Sequence, residues 1–187
     1  SAIVMDHMRQ LEENTLFYRA EVTHAQTLND GALNDYNGIS TFTSSANVRV
    51  TLFMQTLGYG AKNTYNRYCF EESSPVANLF LNLKYMIERD GNVPENHYFT
   101  SVYQHGKVHL LENNRYLPLG FLANTDLKDT RFSIQANAFV FQNQLLRDAA
   151  GVQADVWKML VGHNLDITSE DVHIKSTTAT GYCAYDA

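Results

Sequence analysis

Residues 36–45 are the part of the sequence best suited to binding chemistry, because they combine amide, hydroxyl and aromatic side chains around a glycine. Such groups can bind a sugar or a phosphate, and free amides at a helix start would add affinity for an anion. A glycine turn followed by a helix cap explains the same residues, and on chemistry alone this alternative is favoured. Aromatic rings can stack on a sugar but are more often buried in a core. The binding candidates in this stretch are Tyr36, Asn37, Ser40, Phe42, Ser44 and Ser45.

Arg19 is the next candidate, and it lies in residues 17–23, whose alternating polar and apolar pattern predicts a strand. A guanidinium presents five donors in a fixed plane and can bind a phosphate through two of them. A pair with Glu21 or with another surface carboxylate is an equally good explanation of this arginine. Both alternatives stay open at the level of sequence.

Pairs of carboxylates are the remaining groups that could do chemistry. Glu71 and Glu72 precede a predicted helix start, where negative charge is favourable, and Asp126 and Asp129 fall in a predicted loop. Neither pair shows the separation or protected environment that acid–base catalysis needs. The familiar hydrolase, nucleotide-binding and metalloprotease motifs are absent from the sequence. We therefore predict no catalytic residue in this chain.

The spacing of histidines and cysteines gives little indication of a metal site or a disulfide. His105 and His109 are four residues apart, but a predicted turn between them spoils helical ligand spacing. We predict no metal site and no cofactor. Cys69 and Cys183 lie far apart in the sequence, so a single disulfide and two separate buried thiols remain equal alternatives.

Composition limits the class of protein. The 187 residues include 44% hydrophobic residues, which suits one domain with its own core, and we expect a single domain over 1–187. A net charge of −6 without a basic patch argues against nucleic acid as a partner. No segment approaches the roughly 18 apolar residues that span a bilayer. We interpret Ser1 and Ala2 as a cloning remnant and the chain as excised from a longer protein.

Three helices are predicted from apolar stripes and their end signals. The first follows a cap at Ser44 or Ser45 and ends at Gly58, the second starts at Ser73 or Ser74 with Pro75 in its first turn, and the third starts at Asn137 and ends at Gly151. A further helical turn is predicted for residues 156–160. The three stripes are Val50, Phe53, Met54 and Leu57; Val76, Leu79, Phe80 and Leu83; and Ala138, Phe141, Leu145 and Ala149.

Strands are predicted at residues 84–88, 98–104, 107–112 and 115–122, with a two-residue turn at His105 and Gly106. Pro118 places the last of these at a sheet edge or breaks it. The tail, residues 171–185, predicts two more strands. Together the elements predict an α+β fold with a mixed, mostly antiparallel sheet and about three packed helices.

Five blocks of the sequence resemble the YfhO family of bacterial multi-pass membrane proteins. Residues 17–21 are similar to its FYR-x-E strand and residues 36–45 to its YNGIS-x-[FY]-x-SS stretch. The other similar blocks, which follow in the family's order, are residues 75–87, 112–121 and 139–151. The last 35 residues or so carry no such match.

The resemblance implies a parent protein with many membrane helices in the cell envelope and a soluble domain on the extracytoplasmic side. It implies a glycosyltransferase of the GT-C kind that uses polyprenyl-phosphate sugars and, in Gram-positive bacteria, adds sugars to lipoteichoic acid. The catalytic acid of such enzymes lies near the first membrane helices, so none is carried over to this chain. The expected partners are an envelope glycopolymer or lipid-linked sugar, and the membrane helices of the same parent.

The role that the resemblance implies for this chain is an accessory one, namely acceptor recognition or shaping the active-site roof over the membrane. Two other functions are alternatives to this accessory role. A carbohydrate-binding or sensing module without a link to catalysis fits the aromatic, weakly charged composition, with 11 Tyr, 10 Phe and 18% charged residues. A free-standing secreted hydrolase is the weakest alternative, because no acid pair or triad is visible.

Overall fold

The computed structural model describes residues 1–60, 66–70, 74–93, 97–133 and 137–158, and the backbone of residues 173–177 and 183–186. The chain forms a four-stranded mixed sheet packed against helices, which confirms the predicted α+β class. The helices are α1 (Ala2–Leu11), α2 (Asp30–Leu33), α3 (Val48–Leu57), α4 (Pro75–Phe80) and α5 (Ala138–Ala150), and a 3₁₀ helix covers Thr125–Asp129. The strands are β1 (Arg19–Val22), β2 (Thr41–Phe42), β3 (Arg67–Tyr68), β4 (Leu83–Glu88), β5 (Phe99–His105), β6 (Val108–Asn113), β7 (His173–Thr177) and β8 (Cys183–Asp186).

The main sheet has the strand order β1-β4-β6-β5. Its first pair, β1 with β4, is parallel, and the other two pairs are antiparallel. A parallel pair needs a long crossover connection, and α2, α3 and α4 all lie in the segment that joins these two strands. The carboxyl ends of β1 and β4 therefore meet at one edge of the sheet, where Val22 pairs with Ile87.

The hairpin between β5 and β6 confirms the strands predicted at residues 98–104 and 107–112, with the turn shifted by one residue. His105 pairs with Val108, so the turn residues are Gly106 and Lys107 rather than His105 and Gly106. Gly106 has a φ of 63°, the left-handed conformation that two-residue hairpin turns require. The glycine therefore fixes the turn, and the histidine before it completes the strand.

Helix α1 has no counterpart among the predicted elements. Its buried residues Val4, Met5 and Met8 pack with Tyr85 and Ile87 of β4 in one hydrophobic cluster. Ser1 makes no side-chain cap, and the first turn carries no acidic residue, so the usual signals of a helix start are missing. The helix is stabilised mainly by this burial, since each such side chain contributes roughly 1.5–3 kcal/mol when fully buried.

A second hydrophobic cluster joins α3, α4 and α5 to the start of β4, with Leu57, Leu83, Phe141 and Leu145 at its centre. The end signals predicted for α4 and α5, and the glycine predicted to end α3, are confirmed here. Ser74 accepts a hydrogen bond from the Ala77 amide, with Pro75 in the first turn, and Asn137 caps α5. Gly58 and Gly151 end their helices in the left-handed conformation, at φ values of 111° and 68°.

The cap predicted for α3 is wrong. Asn47, not Ser44 or Ser45, precedes the helix, and its side chain accepts from the Arg49 amide at 2.9 Å. A turn comes first, in which Ala46 donates to the carbonyl of Thr43, so the helix begins later than predicted. The predicted stripe is shifted as well, because Val50 is exposed and Thr51 is buried in its place.

Residues 115–122 are not a strand. Asn113 accepts from the Arg115 amide through its side chain, which turns the chain away from the sheet after β6. Leu117 then donates to the Leu79 carbonyl and accepts from the Asn82 side chain, so its backbone groups are satisfied outside any ladder. Pro118, which has no amide to donate, completes the break.

The C-terminal tail contains two strands. The backbone of β7 and β8 confirms two antiparallel strands within the predicted tail. Of the helical turn predicted at residues 156–160, residues 156–158 form no helix and the remaining two are outside the described residues. Cys69 is half-buried, and its thiol donates to the Gly60 carbonyl at 3.2 Å. The side chain of Cys183 is outside the described part, so its pairing stays a prediction.

Candidate functional site

Residues 36–45, called the polar loop below, run beside the edge strand β1. The amide of Ala20 donates to the Asn37 carbonyl at 3.0 Å, and the Asn37 side chain donates to the Tyr18 carbonyl at 3.2 Å. Because β1 is the first strand of the sheet, its outer edge is free for this contact. The loop and Arg19, proposed separately from the sequence, are thereby brought to one side of the sheet.

The side chain of Glu21 holds the polar loop to the sheet. One of its oxygens accepts from the amides of both Ile39 and Ser40, and the other accepts from the Val22 amide. Glu21 is buried, with 2% of its surface exposed. Burial raises the pKa of Glu21, and the amide donors offset part of that rise. Glu21 therefore has a structural role, and it was not among the residues predicted from the sequence.

The start of the polar loop folds back onto α2 at very short range. The Tyr36 amide donates to the Gly31 carbonyl at 3.0 Å. A β-carbon added at Gly31 would lie 2.9 Å from both the Gly38 nitrogen and the Tyr36 oxygen, which is closer than real contacts allow. The close approach of these two backbone segments therefore requires glycine at this position.

Tyr36 is buried beneath the loop rather than displayed on it. Its hydroxyl donates to Asp30 at 3.0 Å, and Asp30 also forms an ion pair with Arg89 at 3.0 Å. Burial raises the pKa of Tyr36, and the negative charges of Glu21 and Asp30 add to the rise. Tyr36 is therefore part of the interior against which the loop packs, with 8% of the residue surface exposed.

The far end of the loop is a short strand with partners on both sides. The backbone amide of Phe42 donates to the Asn29 side chain at 2.8 Å, and its carbonyl accepts from the same side chain at 3.0 Å. On its other side β2 pairs with β3, where Thr41 lies opposite Tyr68. The hydroxyl of Ser40 accepts from the Phe70 amide at 2.8 Å. These bonds fix the backbone while the Phe42 side chain stays 45% exposed.

Ser44 and Ser45 are exposed at the end of the loop. The Ser45 hydroxyl lies 3.2 Å from the hydroxyl of Thr43. Because Asn47 caps α3, neither serine is needed to cap the helix. Helix capping, which the sequence favoured as the role of these two hydroxyls, is therefore not their role.

Arg19 is half-buried and has an unusual set of partners. Its guanidinium donates to the Leu81 carbonyl at 2.9 Å and lies 5.2 Å from the centre of the Phe17 ring. Burial lowers its pKa, and nearby Tyr68 offsets part of the change. Within the described residues Arg19 forms no ion pair, and Glu21 is occupied by the loop amides, so the predicted alternative pair with Glu21 does not form.

The structure thus places the polar loop beside the strand that carries Arg19, and it separates the candidates into two groups. Phe42, Ser44 and Ser45 expose their side chains, whereas Tyr36 and Ser40 use theirs to fix the loop. Asn37 is exposed, but its side chain donates to the carbonyl of Tyr18, just before β1. Sequence reasoning missed Glu21, Asn29 and Gly31 as the residues that shape the loop. The one available signal was the glutamate that closes the FYR-x-E block.

The carboxylates considered for catalysis do not converge. Asp126 and Asp129 lie exposed in the 3₁₀ helix, and Glu71 and Glu72 are outside the described residues. In the part of the chain that the structure covers, no helix combines the length and the hydrophobicity that crossing a bilayer requires.

Comparison with known proteins gives one match. No curated protein and no solved structure matches the chain significantly. The family model described as "Bacterial membrane protein YfhO" matches residues 4–182, nearly the whole chain. The match also reaches beyond the five blocks that carry the resemblance, into α1 and the C-terminal tail. The chain therefore belongs to the YfhO family of bacterial membrane proteins.

Proposed function

We propose that these residues form an accessory extracytoplasmic domain of a membrane glycosyltransferase-like protein. The domain recognises or positions an envelope glycopolymer such as lipoteichoic acid, or a lipid-linked sugar, for chemistry that takes place elsewhere in the parent protein. Membership of a bacterial membrane protein family supports the membrane setting. The side of the membrane, the polymer and the link to glycosyl transfer belong to the proposal.

The observation that carries the proposal is the guanidinium of Arg19, which projects from the strand whose backbone bonds to the polar loop. Among the described residues it has no carboxylate partner, and one carbonyl and one aromatic ring hold it in place. A half-buried cation of this kind retains donors for a phosphate, and guanidinium–phosphate hydrogen bonds are among the stronger ones in proteins. Polyglycerol-phosphate chains and polyprenyl-phosphate sugars both carry such an anion.

The exposed residues of the loop suit the sugar part of the ligand. Phe42 offers an exposed ring on a backbone fixed by Asn29, and Ser44 and Ser45 offer hydroxyls that the helix cap does not use. An aromatic face with nearby hydroxyls matches a ligand that has both apolar C–H and polar O–H groups. In this proposal Tyr36, Asn37 and Ser40 contribute by holding the loop in its shape.

Binding by the isolated chain tests the site. Purified lipoteichoic acid is titrated calorimetrically into the wild type and into Arg19→Gln, Arg19→Lys and Phe42→Ala. Losing a charge-assisted hydrogen bond costs roughly 1.5–3 kcal/mol, so Arg19→Gln should weaken binding about tenfold or more, and Arg19→Lys less. Arg115→Gln, an exposed arginine after β6, is the matched control. Equal binding by Arg19→Gln and Arg115→Gln would show that the site is wrong.

Glycosylation by the parent protein tests the role. The same substitutions are placed in the full-length parent, and glycosylated lipoteichoic acid is measured at equal protein levels. An accessory role in glycosyl transfer predicts that glycosylation falls together with binding. Lost binding with unchanged glycosylation would instead favour the carbohydrate-binding or sensing module.

A further inference from the structure

A separate group of side chains meets where the parallel strands β1 and β4 end. His24 follows β1 by two residues, Glu88 is the last residue of β4, and Asp90 follows two residues later. One potential ligand atom from each of the three lies within 4.8 Å of the other two. The closest pair is His24 Nδ1 and Asp90 Oδ2, at 3.0 Å.

The backbone around this group is fixed by hydrogen bonds between the two strand ends. The Thr23 amide donates to the Ile87 carbonyl at 3.0 Å, and the Arg89 amide donates to the Thr23 hydroxyl at 3.1 Å. The Asp90 amide donates to Glu88 Oε1 at 2.7 Å. The backbone segments that carry the three residues are therefore fixed to each other.

Glu88 gives an independent reason to expect a cation. Only 4% of its surface is exposed, and the one hydrogen-bond partner of its side chain in the described part of the chain is the Asp90 amide, on Oε1. The neighbouring cation, Arg89, is taken up by Asp30, at 3.0 Å, and forms no ion pair with Glu88. Buried carboxylates are normally paired with a cation or coordinate a metal, and the second oxygen of Glu88 has neither among these residues.

We propose that His24, Glu88 and Asp90 bind a divalent transition-metal cation, with zinc as the best match. One imidazole nitrogen and two carboxylate oxygens are a donor set that zinc accepts, whereas calcium and magnesium prefer oxygen alone. The two carboxylates balance the charge of the ion. This site shares no residue with the polar loop and stands independently of the function proposed above.

The geometry needs only a small closure to bind the ion. Ligand atoms about 2.1 Å from zinc in a tetrahedron lie about 3.4 Å apart. The side chains of His24 and Asp90 are 69% and 36% exposed, so they are free to move toward the fixed Glu88. Their exposure also leaves a fourth coordination position open toward solvent, for water or for an anionic ligand.

Calorimetric titration of the chain, freed of any polyhistidine tag, with zinc chloride tests the site, and manganese chloride is the second probe. We expect one equivalent to bind, and His24→Ala and Asp90→Asn each to lower the affinity at least about tenfold, which even outer-shell substitutions commonly do. Zinc should raise the Tm of the wild type but not that of His24→Ala. His105→Ala, an exposed histidine in the hairpin, is the matched control.

Two results would overturn the proposal: no binding of either ion, or equal binding by His24→Ala and His105→Ala. Glu88→Gln is expected to weaken binding most, because it removes the charge of the buried ligand. If that variant fails to fold, the two exposed positions still decide the question.

Discussion

Two buried glutamates fasten two different segments to the same sheet. Glu12, at the end of α1, accepts from the Lys84 ammonium and from the Tyr85 hydroxyl, at 2.5 and 2.6 Å. Glu21, in β1, accepts from the amides of Ile39 and Ser40 in the polar loop. Both residues are buried, with 7% and 2% of their surface exposed, and their carboxylates differ in their partners.

The pKa values of the two carboxyl groups shift in opposite directions. Burial opposes ionisation of Glu12, but hydrogen bonds from Lys84, Thr15 and Tyr85 and the charge of Lys84 outweigh it, so its pKa is lowered. Burial opposes ionisation of Glu21 more strongly than the amide donors and the Ser40 hydroxyl offset, so its pKa is raised. Glu12 has a charged partner, whereas the partners of Glu21 are neutral donors.

The largest expected effect is on the loop contact. Glu21→Ala leaves the amides of Ile39 and Ser40 without their acceptor, and each unsatisfied buried donor costs roughly 1–3 kcal/mol. We expect the free energy of unfolding to fall by about 3 kcal/mol for Glu21→Ala and by about 1 kcal/mol for Glu21→Gln, which keeps a carbonyl acceptor. Urea denaturation measures both values. An equal loss in the two variants would mean that the amide bonds do not hold the loop.

The next effect is on the α1 contact. Lys84→Met leaves Glu12 buried without a cation, and removing one partner of a buried pair costs roughly 3–5 kcal/mol. Because 13% of the Lys84 side chain is exposed, we expect a smaller loss of about 2 kcal/mol. Hydrogen exchange should show faster opening of α1 than of the polar loop. Lys107→Met, at an exposed position in the hairpin, is the control, and a similar loss there would rule out the ion pair as the cause.

The third effect concerns the close approach of α2 to the polar loop at Gly31. Gly31→Ala places a β-carbon against the backbone of Tyr36 and Gly38, so the loop has to move. Overpacking typically costs about 1–3 kcal/mol, and we expect a loss near the lower end, with amide chemical shifts changing in residues 36–42. Gly120→Ala, where an added β-carbon meets nothing within 4 Å, should leave stability and shifts almost unchanged.

The smallest effect is on the pH dependence of stability, and it has opposite signs at the two glutamates. The raised pKa of Glu21 gives stability that is full below its unfolded pKa and is lost as the pH rises through its folded pKa. The lowered pKa of Glu12 gives stability that is full above its unfolded pKa and is lost as the pH falls through its folded pKa.

Urea midpoints measured from pH 3 to pH 8 check these signs. As the pH falls, the wild type should gain stability relative to Glu21→Gln and lose stability relative to Glu12→Gln. The exposed Glu13→Gln is the control and should show neither trend. The same trend in both buried variants would contradict the assignment of opposite shifts.

Local signals predicted the parts of the fold whose causes lie within a few residues. Helix α5 begins at Asn137 and ends at Gly151 as its sequence indicates, and Ser74 with Pro75 starts α4. Features set by distant partners were missed. Helix α1 depends on burial against β4, and residues 115–122 leave the sheet because Asn82 and Leu79 take their backbone bonds.

In the candidate site, too, the sequence identified residues by their type and missed those whose role depends on distant partners. The sequence identified Arg19 and the polar loop, because donors, hydroxyls and rings are visible as residue types. It did not identify Glu21 as the residue that orders the loop, because the amides it binds lie 18 and 19 positions away. The group of His24, Glu88 and Asp90 was missed for the same reason, since its members come from the ends of two strands that pair across the crossover.

The bonds from Glu21 to the polar loop reach the main-chain amides of Ile39 and Ser40 and do not involve the side chains of Phe42, Ser44 or Ser45. The path of the loop is therefore largely independent of which residues occupy its outer positions. Phe42, Ser44 and Ser45 are accordingly open to replacement in a combinatorial library without refolding the segment. Such a library, selected against polymers with different sugars, would turn this corner of the domain into a scaffold for engineered glycan recognition.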